Sequence, residues 1–258
     1  MKNKFLKLSG ILSLVIAVGF TSCNIAVNTN AISKNTGMVS ESSKINDAGE
    51  NIIISLFDGK TLNGWHGFNK TGEIKNWNVE DGAMVCLGAA ADAHGGDIVS
   101  DNEYENFELS WEWKMTTGGN SGVMYHVIEG AAYQAPYETG PEYQMIDDIG
   151  FPEKLEDWQK SGADYAMYLT NDKKKLKAVG EWNSSKIVFD NGQVEHWLNG
   201  EKVVAFRAWD DAWKKKKEEG KWKEYPNYGM AKKGRIAFQD HGHKVYFRNI
   251  MITVLSNK

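Results

Sequence analysis

Asn106-Phe107-Glu108-Leu109-Ser110-Trp111-Glu112-Trp113-Lys114-Met115-Thr116 is the stretch that decides the fold class. Phe107, Leu109, Trp111, Trp113 and Met115 alternate with Asn106, Glu108, Ser110, Glu112 and Lys114. A period of two sends the apolar set to one side of an extended chain and the polar set to the other, whereas a helix would scatter both around its circumference. The spacing predicts a long strand with one face in a core and one in water. Similar runs lie on both sides of it, at Ile52 to Phe57, Trp77 to Glu80, Ala83 to Leu87, Ser121 to Ile128, Glu142 to Asp147, Lys186 to Asp190, Gly234 to Gln239 and Lys244 to Val254. Between Gln193 and Phe206 two strands flank Asn199-Gly200, a pair that accepts the positive φ angles of a tight hairpin. Helical pattern is confined to Glu153 to Lys160 and Asp210 to Glu219, both read as excursions at the rim. Regular short strands with few helices predict an all-β sandwich or jelly roll.

The N-terminus is not part of that fold. Lys2, Lys4 and Lys7 precede an apolar run from Ile11 to Phe20 and then Thr21-Ser22-Cys23, the layout of a signal peptide. The run is shorter than the roughly 20 residues a spanning helix needs, and no second one follows. A small residue directly before cysteine resembles a lipobox, which would make Cys23 an acylated N-terminus; an ordinary signal with a chance cysteine is the competing reading. Residues 24 to 50, rich in Asn, Ser, Thr, Lys and Ala, read as a tether, leaving residues 51 to 258 as one domain. The expected location is the cell envelope, as a lipoprotein of the outer membrane facing the periplasm, since no acidic run follows Cys23. Only Cys86 remains as a thiol, so no disulfide is expected. With 30 Lys and Arg against 34 Asp and Glu, the net charge of -4 makes nucleic acid a poor partner. The lysine clusters Lys173 to Lys175 and Lys214 to Lys217 read as solvated faces. Oligomeric state is left open.

Six motifs appear in order along the domain. They are Leu56-Phe57-Asp58-Gly59-Lys60-Thr61-Leu62-Asn63-Gly64-Trp65, Asn120-Ser121-Gly122-Val123, Gly140-Pro141-Glu142-Tyr143-Gln144, Gly180-Glu181-Trp182-Asn183, Glu195-His196-Trp197-Leu198-Asn199-Gly200, and Gln239-Asp240-His241-Gly242 with Phe247-Arg248-Asn249-Ile250. No one of them is specific, but together they resemble the 3-keto-disaccharide hydrolase family from about Ile52 to Val254. The resemblance implies a concanavalin A-like jelly roll of two antiparallel sheets and a small carbohydrate as substrate. The sequence departs from the family pattern where many relatives carry an arginine shortly after the Asn-Ser-Gly strand begins; here Tyr125 is followed by His126.

A 3-keto sugar also sets the chemistry that the resemblance implies. The ketone acidifies the proton on carbon 2, so a base can remove it, the group on carbon 1 leaves by β-elimination, and water adds back. Such a site needs a base, an acid for the leaving group and a donor to the enolate oxygen, not the paired carboxylates of an ordinary glycosidase. Glu142 and His241 are the catalytic candidates, with either one as base. Glu142 and Gln144 are two apart on a strand and share a face; Gln239 and His241 are likewise two apart, with Gly242 leaving room beside the imidazole. Gln144, Gln239, Arg248, His126, Glu181 and Trp182 are the candidates for holding the sugar. For Arg248 the competing reading is an inter-strand ion pair, and for His126 a core histidine. Trp65 and Trp158 join Trp182 as residues that could stack on a sugar. Asp147 and Asp148 either ligate a cation or cap a loop, and His196 reads as structural. No His-x-His, Cys-x-x-Cys or EF-hand spacing occurs, which leaves a divalent metal open. Two other functions compete: a non-catalytic lectin-like module, and an ordinary two-carboxylate hydrolase, for which Glu181 is the second acid.

Overall fold

A computed structural model describes residues 51–88 and 96–256. The signal peptide, Cys23 and the tether lie outside the described residues. Thirteen strands form two antiparallel sheets: β1 (Ile52–Ser55), β2 (Trp65–Gly67), β3 (Trp77–Glu80), β4 (Ala83–Cys86), β5 (Ile98–Tyr104), β6 (Phe107–Met115), β7 (Asn120–Val127), β8 (Glu142–Ile146), β9 (Asn183–Asp190), β10 (Gln193–Leu198), β11 (Glu201–Arg207), β12 (Gly234–Phe238) and β13 (Val245–Val254). The larger sheet runs β11-β10-β9-β6-β13-β4-β3 with β1 added to β13, and the smaller runs β2-β5-β12-β7-β8. This is the jelly-roll sandwich that the sequence predicts.

Strand β6 occupies the middle of the larger sheet, between β9 and β13, and its burial alternates at every residue. Trp111 and Trp113 are each 1 % exposed, facing Tyr143, Tyr125 and Phe238 of the smaller sheet across a single core. Trp113 Nε1 donates to Ser185 Oγ at 2.8 Å, and Trp111 meets the Tyr143 ring edge-on at 5.0 Å. Trp65 belongs to the same core: its indole N–H donates to the Leu56 carbonyl at 2.7 Å, which accounts for its burial beside Phe238 and removes it from the stacking candidates. The Asn199-Gly200 hairpin forms as read, with φ of 49° and 87° at its two turn residues.

Two strands escape sequence reading. β2 has three residues, and β5 carries Asp101-Asn102-Glu103 in its outer half, so neither shows a period. The patterned stretch at Glu153 to Lys160 yields only a 3-10 turn at Asp157–Gln159, while Asp210 to Glu219 gives α1 (Asp211–Glu219), opened by Asp210 accepting from the Trp213 N–H at 2.8 Å. No helix among the described residues is long and apolar enough to cross a membrane. Cys86 is a buried free thiol that donates to Asp240 Oδ1 at 3.3 Å.

Candidate functional site

The register of β7 against β8 sets Gly122 opposite Gln144 and Met124 opposite Glu142. Tyr143 and Met145 point into the core, so Glu142 and Gln144 emerge on the outer face of the smaller sheet. There the carboxyl of Glu142 lies across Gly122: a Cβ on that residue would stand 2.2 Å from Glu142 Oε1. The glycine of the Asn-Ser-Gly motif is thus the floor under the carboxyl.

A non-regular segment extends β8 sideways. Gly162 N donates to Gln144 O at 2.8 Å, Gln144 N to Ala163 O at 3.1 Å, and Tyr165 N to Glu142 O at 3.0 Å, which sets the Tyr165 ring beside Glu142. The roof comes from the 3-10 turn Lys221–Glu224 that follows α1. Trp222 is held there by stacking on Tyr228 at 4.1 Å and by its N–H donating to Tyr165 O at 3.1 Å. Trp213 of α1 also lies parallel to Tyr228, with ring centroids 6.5 Å apart, so the charged excursion anchors the roof as well as facing solvent. On the remaining side Gln239 N donates to Gly122 O at 3.0 Å, and His241 follows two residues later.

Glu142, Gln144, Gln239 and His241 therefore line one cavity of about 250 Å³, together with Asn120, Tyr137, Tyr165, Lys221, Trp222 and Tyr225. Its size sits just below the ~300 Å³ at which drug-sized pockets begin, and suits a ligand of one sugar ring. Glu142 is 5 % exposed, and no hydrogen bond reaches its carboxyl among the described residues. Burial pushes the carboxyl up to about 8, against the opposing charge of Lys221 and with the help of Asp97. His241 stands at the mouth and is the most exposed of the four. Partial burial, aided by the neighbouring His243, holds its imidazole below the ordinary histidine value. Gln144 Nε2 donates to Asn120 Oδ1 at 3.4 Å, but the amide oxygens of Gln144 and Gln239 are buried with no hydrogen-bond partner. Two such acceptors in one cavity wall match the hydroxyl donors of a sugar.

The structure does not bring the other candidates to this cavity. Arg248 lies on the outer face of the larger sheet, where its Nε donates to Glu112 Oε2 at 2.7 Å across the β6–β13 pairing, and its guanidinium covers the Trp182 ring at 4.0 Å. The inter-strand ion pair is the reading that holds. Glu181 is exposed and lines a separate apolar cleft of about 500 Å³ near Trp113 and Val179. His126 adopts a φ of 53°, which breaks the alternation of β7 and turns its ring inward against Phe189 at 4.3 Å, with Nε2 bonded to the Glu105 carbonyl at 2.9 Å. Burial lowers it to about 4, a neutral core histidine. His196 is a second, with Nδ1 bonded to the Gly162 carbonyl at 3.1 Å. Asp147 accepts from the N–H groups of Gly118, Ile149 and Gly150 and caps its loop, while Asp148 pairs with Lys174, which is not the solvated lysine its cluster suggests. Trp158 is half-buried and meets Tyr165 edge-on at 5.2 Å, behind the cavity wall. No group of three His, Cys, Asp or Glu residues is placed to hold a metal ion among the described residues.

Asn120, Tyr137, Tyr165, Lys221, Trp222 and Tyr225 are the wall residues that sequence reading missed. Asn120 was within reach, since it opens the Asn-Ser-Gly motif and stands two residues before Gly122 on the same face. The others sit in segments with no period, and Lys221, Trp222 and Tyr225 in a stretch rich in lysine.

Residues 53–253 match the family of the 3-keto-alpha-glucoside-1,2-lyase-like domain. A 3-keto-disaccharide hydrolase of Bacteroides thetaiotaomicron is 35% identical over 226 residues, covering 78% of each chain. Two crystal structures from Parabacteroides distasonis, both described as candidate glycosyl hydrolases, share the fold. One is 48% identical with a TM-score of 0.74, covering 79% of this chain and 94% of its own. The other is 26% identical with a TM-score of 0.62, covering 80% and 100%. The chain belongs to the 3-keto-disaccharide hydrolase family of 3-keto-alpha-glucoside-1,2-lyase-like domains.

Proposed function

We propose that the protein cleaves 3-keto-disaccharides by elimination at carbon 1 and re-addition of water, with His241 as base and Glu142 as acid. The observation that supports this reading is the divergence of the two groups in one cavity. A neutral imidazole at the mouth accepts a proton near pH 7, and a buried carboxyl raised to about 8 still holds one. His241 takes the proton from carbon 2, and that electron pair moves into the carbon 2–carbon 3 bond as the ketone becomes an enolate. Lys221 at the cavity edge and the amide of Asn120 supply donors for the enolate oxygen. Collapse of the enolate forms the carbon 1–carbon 2 double bond and expels the carbon 1 oxygen, which receives the Glu142 proton. Water then adds to carbon 1 as a proton returns to carbon 2, leaving a free 3-keto sugar. The unpartnered oxygens of Gln144 and Gln239 hold ring hydroxyls. An ordinary two-carboxylate hydrolase fits less well, because Glu142 is the one carboxyl lining this cavity among the described residues and Glu181 lies elsewhere.

The test is turnover of a 3-keto-disaccharide in deuterated water, followed by NMR. The released 3-keto sugar should carry deuterium at carbon 2, and His241→Ala should lose both cleavage and exchange. Cleavage of the unoxidised disaccharide at the same rate, or product without deuterium at carbon 2, rules the mechanism out.

A further inference from the structure

A second cavity of about 480 Å³ adjoins the first, and His241 belongs to the wall of both. The two are parallel neighbours along two segments of chain. At the exit of β12, Gln239 faces the first cavity, Asp240 the second, and His241 both; in the turn before β8, Tyr137 faces the first and Pro136 the second. The polar wall of the second is built around Asp97. Its Oδ1 accepts from the Asp240 N–H at 2.7 Å, while Asp240 in turn accepts from Asn76, Cys86, Gly96 and Gly242. Asp240 is thereby saturated with donors and fixed, and it presents Asp97 rather than itself.

We propose that this second cavity is the subsite for the departing half of the substrate, with Asp97 binding its hydroxyls and Gln134 at its outer edge. The inference rests on the elimination reading above, because that reading puts carbon 1 beside His241, where the two cavities meet. Volume supports it: the first cavity suits one ring, and the second is about twice as large, room for a ring with its substituents or for a bulkier aglycone. The chemistry supports it too. Burial, with the like charge of Asp240, lifts the Asp97 carboxyl to about 7 against the influence of its hydrogen bond and of Lys70, so near neutrality it both donates and accepts, as sugar hydroxyls require. Asp97 is a specificity residue here, not a catalytic one, for its carboxyl is outside the cavity that holds Glu142.

Two substrates separate the cavities: a 3-keto-disaccharide, which needs both, and methyl 3-keto-glucoside, whose leaving group is too small to enter the second. Gln134→Trp fills the second cavity from an exposed position, and Asp97→Asn keeps the shape and the bond from Asp240 while removing the carboxyl. Each variant should lower the ratio of kcat/KM for the disaccharide over the methyl glycoside roughly tenfold or more, mostly through KM, and Gln134→Trp, which lies away from Glu142, should keep methyl glycoside turnover within about twofold of wild type. An unchanged ratio in both variants, with both substrates still cleaved by the wild type, overturns the subsite and leaves the elimination reading standing. Wild-type protein that cleaves neither substrate overturns both.

Discussion

The two sheets of the sandwich both carry surface ion pairs, but they differ around Glu142. On the larger sheet many of the long charged side chains meet a neighbour: Arg248 meets Glu112 and Trp182, Lys114 lies over Trp182 and Tyr246 at 4.9 and 4.8 Å, Lys244 pairs with Glu80 at 3.1 Å and Lys186 with Glu108 at 3.2 Å. These groups are about a third exposed, so each pair contributes on the order of 0–1 kcal/mol and is dispensable singly. On the smaller sheet Glu142 is taken out of water with no hydrogen bond to its carboxyl among the described residues, beside two amide oxygens that find no partner among them either. Unpaired burial costs far more than surface pairing returns. A face that bears such a cost is organised around a ligand, and one whose charges lie in water or in surface pairs is organised around the fold.

The sharpest way to break that contrast is to replace one ionisable group on each face with an amide. Glu142→Gln keeps the shape and removes the proton, and should lower turnover of a 3-keto-disaccharide by roughly 100-fold or more. Arg248→Gln should leave turnover within about twofold and cost no more than ~1 kcal/mol in stability. Steady-state rates and urea midpoints on the two proteins measure both. If Arg248→Gln is as inactive as Glu142→Gln, the larger sheet carries function and the contrast collapses.

The same contrast explains what was legible in the sequence. Alternation in β6, β8 and β13 identifies which side chains share a side of a strand, because a period of two is a local property. Glu142 with Gln144 and Gln239 with His241 were found in this way. Alternation does not tell which sheet a strand joins, and Arg248, equally well placed on its own strand, lands on the opposite face of the molecule. His126 was misplaced for another local reason: a positive φ at one residue inverts the facing of its side chain, and nothing in Tyr125-His126-Val127 announces it. Lys221 and Trp222 were out of reach because the roof is held by long-range stacking on Tyr228, from a stretch whose composition alone reads as solvent-exposed. Asp97 and β5 were hidden by the polar run Asp101-Asn102-Glu103, which masks the strand.

A smaller change sharpens the comparison through Gly122. Adding one methyl there forces the Glu142 carboxyl to move, since its oxygen, Cδ and Cγ lie 2.2, 2.8 and 2.9 Å from the new carbon. All three atoms belong to the side chain, so a change of rotamer relieves the clash, the backbone need not yield and the fold should persist. Gly122→Ala is therefore expected to lower turnover by roughly tenfold or more through misplacement of the acid, since displacements near 1 Å cost rates on the order of 100-fold. The urea midpoint should move little. A rate near wild type would mean that the position of the Glu142 carboxyl above Gly122 is immaterial to catalysis.

The most delicate test is thermodynamic and needs no substrate. In the unfolded chain Glu142 has the ordinary carboxyl value of 4.5, and in the folded protein burial lifts it to about 8. Between those values the folded state keeps a proton that the unfolded state has lost. By linkage this group's contribution to stability is then full below about pH 4.5 and declines as pH rises towards 8. Glutamine has no proton to lose, so Glu142→Gln should escape that decline, while Asp97 and Asp164, both raised by burial, remain in both proteins and largely cancel in the difference. The variant should match wild type near pH 5 and pull ahead as pH rises, by at most about 1.4 kcal/mol per pH unit and by ~1 kcal/mol or more at pH 8. Urea titrations of both proteins across that range measure the gap. A gap that does not change with pH would mean the carboxyl is hydrated and of ordinary acidity, and Glu142 would then arrive at the reaction without the proton that its role as acid requires.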